Sequence, residues 1–325
     1  MRPRPIPHAL GPGPFTRHDA RELGVLDDTF RGGRFVRLFP RVWRLSDHEM
    51  TRPDWIAAAR LALPAGCHLT GISRIQGLGL DLGPRRPLHF VRQGTLHLDI
   101  DGIFLHRTKL LAPTDDVGVT AAAAYLFYCS TARVIDAIKV GDWLLAHGHL
   151  TVGEVQDLAL AATWRDGAHE AIWILPHLDA GSRSVKESET RTVVDFAGLP
   201  RPETNVVLEL EDGLVVIVDL LLRDQRVVLE YEGAQHQEDR AQYSSDLERY
   251  ALLRAHDLPY LQVTHEKLTK AKTLVGDVFR LLVSRGYDGP PPEFGEHWRS
   301  LFRPIREVIG SRSEWLRDYG RGAVG

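Results

Sequence analysis

The segment from Val215 to His236 places acidic side chains inside strongly apolar, β-type sequence, and this combination constrains the chain more than any other feature. Two apolar runs flank the polar break Arg223-Asp224-Gln225, a pattern that predicts a hairpin. In the second run a period of two puts Glu230 and Glu232 on the same face. Carboxylates on an apolar strand are unfavourable unless water, a cation or hydrogen bonds compensate them.

Asp219, in the first run, shares that face only if the connection between the strands has the right length. A two- or four-residue connection puts Asp219 on the face of Glu230, whereas a three-residue connection puts it on the opposite face. Three carboxylates on one face would form an oxygen-rich pocket suited to Mg²⁺ or Mn²⁺. The alternative is the solvated outer face of an edge strand. The continuous apolar run from Leu214 to Leu222 argues against that alternative.

These residues resemble a known family. Asp219, then Glu230-Tyr-Glu-Gly-Ala-Gln-His236, then a charged helix and a β-run over Tyr260–Thr264, are similar to the DUF559-type, restriction-endonuclease-like domains related to very-short-patch-repair nucleases. That group, part of the PD-(D/E)xK superfamily, carries an Asp followed by Glu-x-Asp-Gly-x-x-His. Glu232 stands here at the second Asp, where the wider superfamily has a lysine. Glu232 can bind metal, but it cannot supply that positive charge.

The resemblance implies a nuclease that uses Mg²⁺ or Mn²⁺. Asp219, Glu230, Glu232 and the backbone carbonyl of Tyr231 would hold the ion, which activates water and polarises the scissile phosphate. Gln235 or His236 would position that water or protonate the leaving oxygen.

The order of predicted elements over residues 184–288 is αβββαβα, that of a restriction-endonuclease-like core. On its first helix Glu187 or Glu189 is a candidate to face the active centre, and a surface acid near a helix N-terminus is the alternative. Arg240 and Arg249, on the helix after the third strand, are candidates for phosphate contacts.

The N-terminal part of the chain predicts a second type of module. Residues 1–14, rich in proline and glycine, are expected to be a disordered leader, and residues 15–50 follow the outline of a winged helix-turn-helix. This segment resembles the winged-helix region of AbiEi-type antitoxins, and residues 51–180 resemble the small α+β middle domain of those chains. Arginines on the winged-helix segment are candidates for DNA contact, namely Arg31, Arg34, Arg37 and Arg41.

Composition limits the remaining possibilities. The formal net charge of -3 gives no global attraction to nucleic acid, so DNA binding must come from local patches. Two cysteines, Cys67 and Cys129, exclude a disulfide framework, and no apolar run is long enough to cross a membrane, so we expect a cytoplasmic protein. Residues 289–325 are expected to be a proline-rich linker and an aromatic tail, whose aromatic residues predict short helices that dock on the body of the protein or on a partner.

We therefore predict an α+β, multidomain, metal-dependent nuclease that acts on double-stranded DNA. The first alternative is a non-catalytic transcriptional regulator of the type IV toxin–antitoxin kind, with a cognate toxin as partner. The second alternative is a nuclease fold that serves only for protein contacts.

Overall fold

The computed structural model describes residues 6–210, 213–232 and 250–310, and it shows a mixed α+β chain. The chain divides into two compact units, residues 1–124 and 125–325. We expected a middle domain that extends to residue 180. The helices between residues 134 and 178 instead belong with the C-terminal unit, because buried ion pairs tie them to it. No helix in the described parts of the chain is long and apolar enough to cross a membrane.

Residues 1–14 were expected to be a disordered leader, but the described part of this segment holds a 3₁₀ turn (His8–Leu10) whose Leu10 is buried in a core cluster with Phe15 and Phe35. A small antiparallel sheet of strand order β1-β3-β2 follows. Its elements are β1 (Phe15–Thr16), α1 (Arg17–Glu22), a 3₁₀ turn (Asp27–Arg31), β2 (Phe35–Phe39) and β3 (Val42–Leu45). Thr16 and Asp19 form a capping box at the start of α1, with each side chain accepting a hydrogen bond from the other's backbone N–H. At the place of the second helix of the predicted helix-turn-helix, the chain forms only the 3₁₀ turn. Phe30 in that turn stacks on Phe35 with ring centroids 4.9 Å apart, which anchors the turn to the sheet.

The rest of the first unit packs helices against a second three-stranded sheet of order β4-β5-β6. Its elements are α2 (Arg52–Ala62), β4 (Cys67–Leu69), α3 (Gly71–Gln76), β5 (Leu88–Gln93) and β6 (Ile103–Thr108). The next helix, α4 (Ala121–Cys129), contains the boundary between the two units. The alternating pattern of Leu96–Asp101 predicts a further strand. Because β5 and β6 are parallel, residues 94–102 serve instead as the connection that returns the chain to the start of β6.

The second unit has a four-stranded sheet of order β10-β9-β8-β7, in which β10 is parallel to β9 and the other pairs are antiparallel. Its strands are β7 (Glu203–Glu209), β8 (Val215–Leu222), β9 (Val227–Glu232) and β10 (Tyr260–Thr264). The helices are α5 (Val134–Ala146), α6 (Val152–Ala161), α7 (Ala168–Ile174), α8 (Val185–Asp195), α9 (His265–Thr269), α10 (Ala271–Ser284), α11 (Glu296–Ser300) and α12 (Ile305–Val308). Most of the helix predicted over Asp239–Asp257 lies outside the described residues.

Residues 289–310, the predicted linker and the start of the predicted tail, are docked on the second unit, which is one of the two alternatives that the aromatic residues predict. The Val134 N–H donates to the Arg303 carbonyl at 3.1 Å, and the Ile305 N–H donates to the Ala132 carbonyl at 3.0 Å. Trp298 and Ile305 are buried. This apolar anchoring explains the unusual aromatic content of the segment, although Trp315 and Tyr319 lie outside the described residues.

Candidate active site

The four strands of the second unit bring four polar residues into one row across the sheet: Asn205, Asp219, Glu230 and Gln262. Gln262 on β10 is directly opposite Glu230 on β9. Asp219 follows in register, because the pair next to it is Leu220–Leu229. Asn205 is opposite Asp219, between the pairs Thr204–Leu220 and Val206–Val218. We call these four residues the polar row.

The connection between β8 and β9 decides this arrangement. Leu222 pairs with Val227, so the connection has four residues, 223–226. The sequence predicts a three-residue break with Arg226 already in the strand, but Arg226 has a left-handed φ of 54° and belongs to the turn. Asp219 therefore lies on the same face as Glu230.

Strands β8 and β9 stop pairing at the point where the acids lie. The last ladder pair before the site is Leu220–Leu229. Beyond it the Tyr231 N–H donates to Asp219 Oδ2 at 2.9 Å, and the Asp219 N–H lies 3.4 Å from Glu230 Oε1. Carboxylate oxygens thus replace backbone carbonyls as acceptors, and they hold the two acids side by side. Glu230 is only 3% exposed, so its carboxylate is in a weakly solvated position.

Glu187 approaches the polar row from helix α8. Ser184 caps this helix by accepting from the Glu187 N–H at 3.1 Å. Glu187 Oε2 accepts from the Arg183 N–H at 2.9 Å and from Asn205 Nδ2 at 2.6 Å. Asn205 therefore links the helix acid to the sheet. It does so from a left-handed backbone conformation, φ 48°, which asparagine tolerates better than most residues and which stores some strain beside the site.

The two acids considered for α8 have different surroundings. Burial raises the pKa of Glu187, and the negative charge of Asp219 raises it further. Glu189 instead lies 2.9 Å from Lys186 Nζ and 3.6 Å from Lys139 Nζ, in an ion-paired cluster with α5. Glu187 is thus the helix acid that interacts electrostatically with the carboxylates of the sheet, whereas Glu189 forms ion pairs that link α8 to α5.

Replacement of Glu187 by glutamine is expected to lower the cleavage activity without lowering the stability of the protein. The raised pKa means that protonation of Glu187 favours the folded protein. The contribution of Glu187 to stability is therefore full below its ordinary pKa and is lost as the pH rises through the folded-state pKa.

At pH 8, Glu187→Gln keeps an acceptor oxygen and removes the repulsion with Asp219, so the melting temperature should be unchanged or higher. Metal-dependent cleavage of DNA should fall at least about tenfold. Thermal unfolding at pH 5 and pH 8 and the cleavage rate check both effects, with Glu189→Gln as control. A variant that melts lower at pH 8 and cleaves normally would contradict this role.

The remaining predicted site residues are placed only in part. Glu232, at the end of β9, is half-buried opposite Thr264 and lies on the face of Glu230 by strand periodicity. Tyr231 contributes its backbone to the site through its bond to Asp219. The other predicted residues lie outside the described part of the chain, namely Gln235, His236, Arg240 and Arg249.

The donors in this region fit a hard divalent cation. Asp219 and Glu230 offer adjacent carboxylates, with the Tyr231 carbonyl beside them in sequence and Glu187 nearby. Mg²⁺ is commonly bound through one or two carboxylates and several waters, so this set is chemically suitable. Among the residues that the structure describes, no three acidic, histidine or cysteine side chains come together as a complete metal-binding group. A bound ion would then rely on water or substrate oxygens for its other ligands.

Sequence reasoning missed two members of the polar row, Asn205 and Gln262. Gln262 could have been suspected from the sequence, because it is a polar residue within the predicted strand Tyr260–Thr264. A polar side chain on such a strand needs a hydrogen-bonding partner. Lys267, from α9, donates from Nζ to the Gln262 carbonyl at 2.6 Å and so covers the backbone of β10. Asn205 gave no signal, because its role depends on a local φ and on contacts with residues distant in sequence.

The predicted DNA-contacting arginines of the first unit lie on or beside the sheet β1-β3-β2. Arg31 is strongly exposed, 3.6 Å from Asp28. Arg37 and Arg41 are exposed on β2 and on the turn after it, and Arg34 is half-buried. The turn at Arg41 has a φ of 66°.

Comparisons with protein-family models, with curated proteins and with solved structures give no match to this chain.

Proposed function

We propose that the second unit is a metal-dependent nuclease that hydrolyses phosphodiester bonds of DNA, with a restriction-endonuclease-like αβββαβα core. One observation carries the proposal, namely the adjacent carboxylates Asp219 and Glu230 where β8 and β9 separate. Neutral hydrogen bonds or apolar packing would stabilise a sheet better at this point, because two acids side by side repel each other. A cation next to a polyanionic substrate explains why they are present.

The roles of the residues follow from their surroundings. Asp219 and Glu230, with the Tyr231 carbonyl, would hold Mg²⁺ or Mn²⁺, which when bound supplies Lewis-acid activation of the phosphate and of a water. The Tyr231 N–H orients the Asp219 carboxylate. Asn205 and the Arg183 N–H fix Oε2 of Glu187, whose raised pKa suits a group that exchanges a proton with water. Glu232 would extend the acidic wall at the end of β9.

The test is the conversion of supercoiled plasmid to nicked and linear forms by the purified full chain. Cleavage with Mn²⁺ or Mg²⁺ and none with EDTA supports the proposal. Equal cleavage with EDTA would indicate a contaminating or metal-independent activity, and no cleavage of duplex, single-stranded DNA or RNA with either ion would overturn the assignment.

A second function is supported by the first unit. We propose that residues 15–50 form a winged-helix-like DNA-binding segment, as in AbiEi-type antitoxins. In this function the chain is a cytoplasmic transcriptional regulator with a toxin as partner. The supporting observation is the small sheet β1-β3-β2, which carries exposed arginines on one strand and its turn. Such guanidinium groups suit phosphate contacts.

Duplex binding by this segment is expected to depend on Arg37 and not on metal. Arg37→Gln should weaken binding to a short duplex by roughly tenfold at low salt, since it removes one phosphate-directed charge. EDTA should leave the affinity unchanged. Electrophoretic mobility shifts measure both. Arg107→Gln, on β6 of the same unit, is the control for an equal change of charge, and equal losses in the two variants would argue against a specific role of the sheet.

A further inference from the structure

The first unit contains a cavity of about 520 Å³ between helix α2 and the segment that follows α3. Its volume is in the range of small-molecule sites. The polar row belongs to the other unit, and none of its residues lines this cavity. The cavity is lined mainly by Arg52, Ile56, Ala57, Arg60, Leu80 and Arg85.

The floor of the cavity is apolar. Ile56 and Leu80 are 8% and 5% exposed, and Ala57 adds a small side chain on the same helix. Ile56 and Ala57 come from consecutive positions on α2, between Arg52 and Arg60, so this face of the helix presents an apolar surface framed by two cations. Such a surface suits a flat apolar ring.

The rim of the cavity is cationic, and hydrogen bonds within the protein already hold its side chains in place. Arg52 donates from Nη1 to the Arg85 carbonyl at 3.0 Å and from Nη2 to Gln76 Oε1. Gln76 is itself fixed, because its Nε2 donates to the Leu82 carbonyl at 2.7 Å and to the Pro84 carbonyl at 3.2 Å. The Arg52 guanidinium is thus held in place by two neutral oxygen acceptors, which leave its positive charge uncompensated. A preorganised cation of this kind is suited to an anion.

The charges around the cavity are unbalanced. Three arginines face one carboxylate, that of Asp81, which lies 3.2 Å from Arg85 Nη2. Burial lowers the pKa of Arg52, and the positive charge of Arg85 lowers it further. Arg60 donates from Nη2 to the Val117 carbonyl, which holds its guanidinium at the opposite end of the cavity from Arg52 along α2. An anionic ligand would relieve the repulsion between these cations.

We propose that this cavity binds a small anionic ligand in which an oxyanion, phosphate or carboxylate, is joined to an apolar ring. The oxyanion contacts the guanidinium group of Arg52, and the ring lies on Ile56, Ala57 and Leu80, towards Arg60. The ligand is of the size of a mononucleotide or an aromatic acid, and its site lies in the first unit.

Isothermal titration of the full chain with adenosine monophosphate, benzoate and inorganic phosphate tests the proposal. We expect one-to-one, sub-millimolar binding of the monophosphate or of benzoate, and the one that binds identifies the oxyanion. Inorganic phosphate should bind at least about tenfold more weakly because it lacks the ring. Arg52→Gln should weaken binding by about tenfold or more, consistent with the loss of one charge-assisted hydrogen bond.

Two further variants make the result decisive. Ala57→Phe fills the cavity without changing a charge and should also abolish binding, whereas Arg107→Gln, in the same unit but outside the cavity, should leave it unchanged. Circular dichroism melts confirm that each variant is folded. The proposal is overturned if neither ring-bearing ligand binds, if phosphate alone binds as tightly, or if affinity persists in both Arg52→Gln and Ala57→Phe. Because none of these variants touches the polar row, the outcome is independent of the plasmid assay.

Discussion

Asp219→Asn is expected to reduce metal-dependent plasmid cleavage at least about 100-fold, equivalent to about 2.7 kcal/mol of activation free energy. The change is nearly isosteric and keeps an oxygen that can accept from the Tyr231 N–H, so the local backbone should be preserved. It removes the negative charge that would face a divalent cation beside Glu230. Glu230→Gln should have a comparable effect, because in the proposed function the two carboxylates would hold the same ion.

The matched control is Asp224→Asn, which makes the same chemical change in the exposed turn between the same two strands. It should cleave like the parent protein. The double variant Asp219→Asn/Glu230→Gln should be little worse than either single variant, because residues that act as a unit are not additive. Full activity in Asp219→Asn would remove the basis of the nuclease proposal. Loss of activity in Asp224→Asn as well would point to misfolding.

The strand pattern of the second unit could be predicted because alternation and turn residues are local properties. The position of Asp219 relative to Glu230 could not, because one residue of turn length changes its face. That length was decided at Arg226, whose positive φ is unusual for arginine and has no signature in the sequence. The face of an acid in a hairpin is thus known only when the turn is known.

The boundary between the two units could not be predicted from the sequence for a different reason. The helices between residues 134 and 178 look like a continuation of the preceding domain, since nothing in their sequence marks a boundary near residue 124. Their assignment to the second unit depends on long-range partners, such as Lys139 with Glu189. Long-range contacts also distinguish Glu187, which bonds to Asn205 on the sheet, from Glu189, which is ion-paired with lysines. Their spacing in the sequence left both as candidates for the helix acid. Pairings between distant segments are what local patterns cannot provide.

The ion pair between Arg191 and Asp142 is expected to be the most sensitive point for the stability of the second unit. Both side chains are almost fully buried, 1% and 0% exposed, with Arg191 Nη2 2.8 Å from Asp142 Oδ2. Arg191 Nη2 also donates to the His177 carbonyl at 3.0 Å, and Asp142 Oδ1 accepts from the Asp179 N–H at 2.7 Å. The pair therefore joins α5, α8 and the segment between α7 and α8.

Arg191→Met keeps most of the side-chain volume and leaves the Asp142 carboxylate without its cation, which should cost about 3–5 kcal/mol. For a unit of roughly 200 residues this corresponds to a fall in melting temperature of about 10 °C. Burial raises the pKa of Asp142 and the Arg191 charge opposes that rise, so the variant should recover stability as the pH is lowered and the carboxyl becomes protonated. Thermal unfolding at pH 5 and pH 8 measures this difference.

Two comparisons show whether the loss comes from an unpaired charge. Arg285→Met breaks an ion pair with Asp257 near the surface and should change the melting temperature little, because such pairs are screened by water. Arg191→Met combined with Asp142→Leu should recover much of the stability, since replacing both members of a buried pair by apolar groups is often nearly neutral. A double variant as unstable as Arg191→Met at pH 8 would show that the bonds to the His177 carbonyl and the Asp179 N–H matter more than the charges. In that case Glu187, which lies one turn before Arg191 on α8, should lose its position beside the polar row together with Arg191.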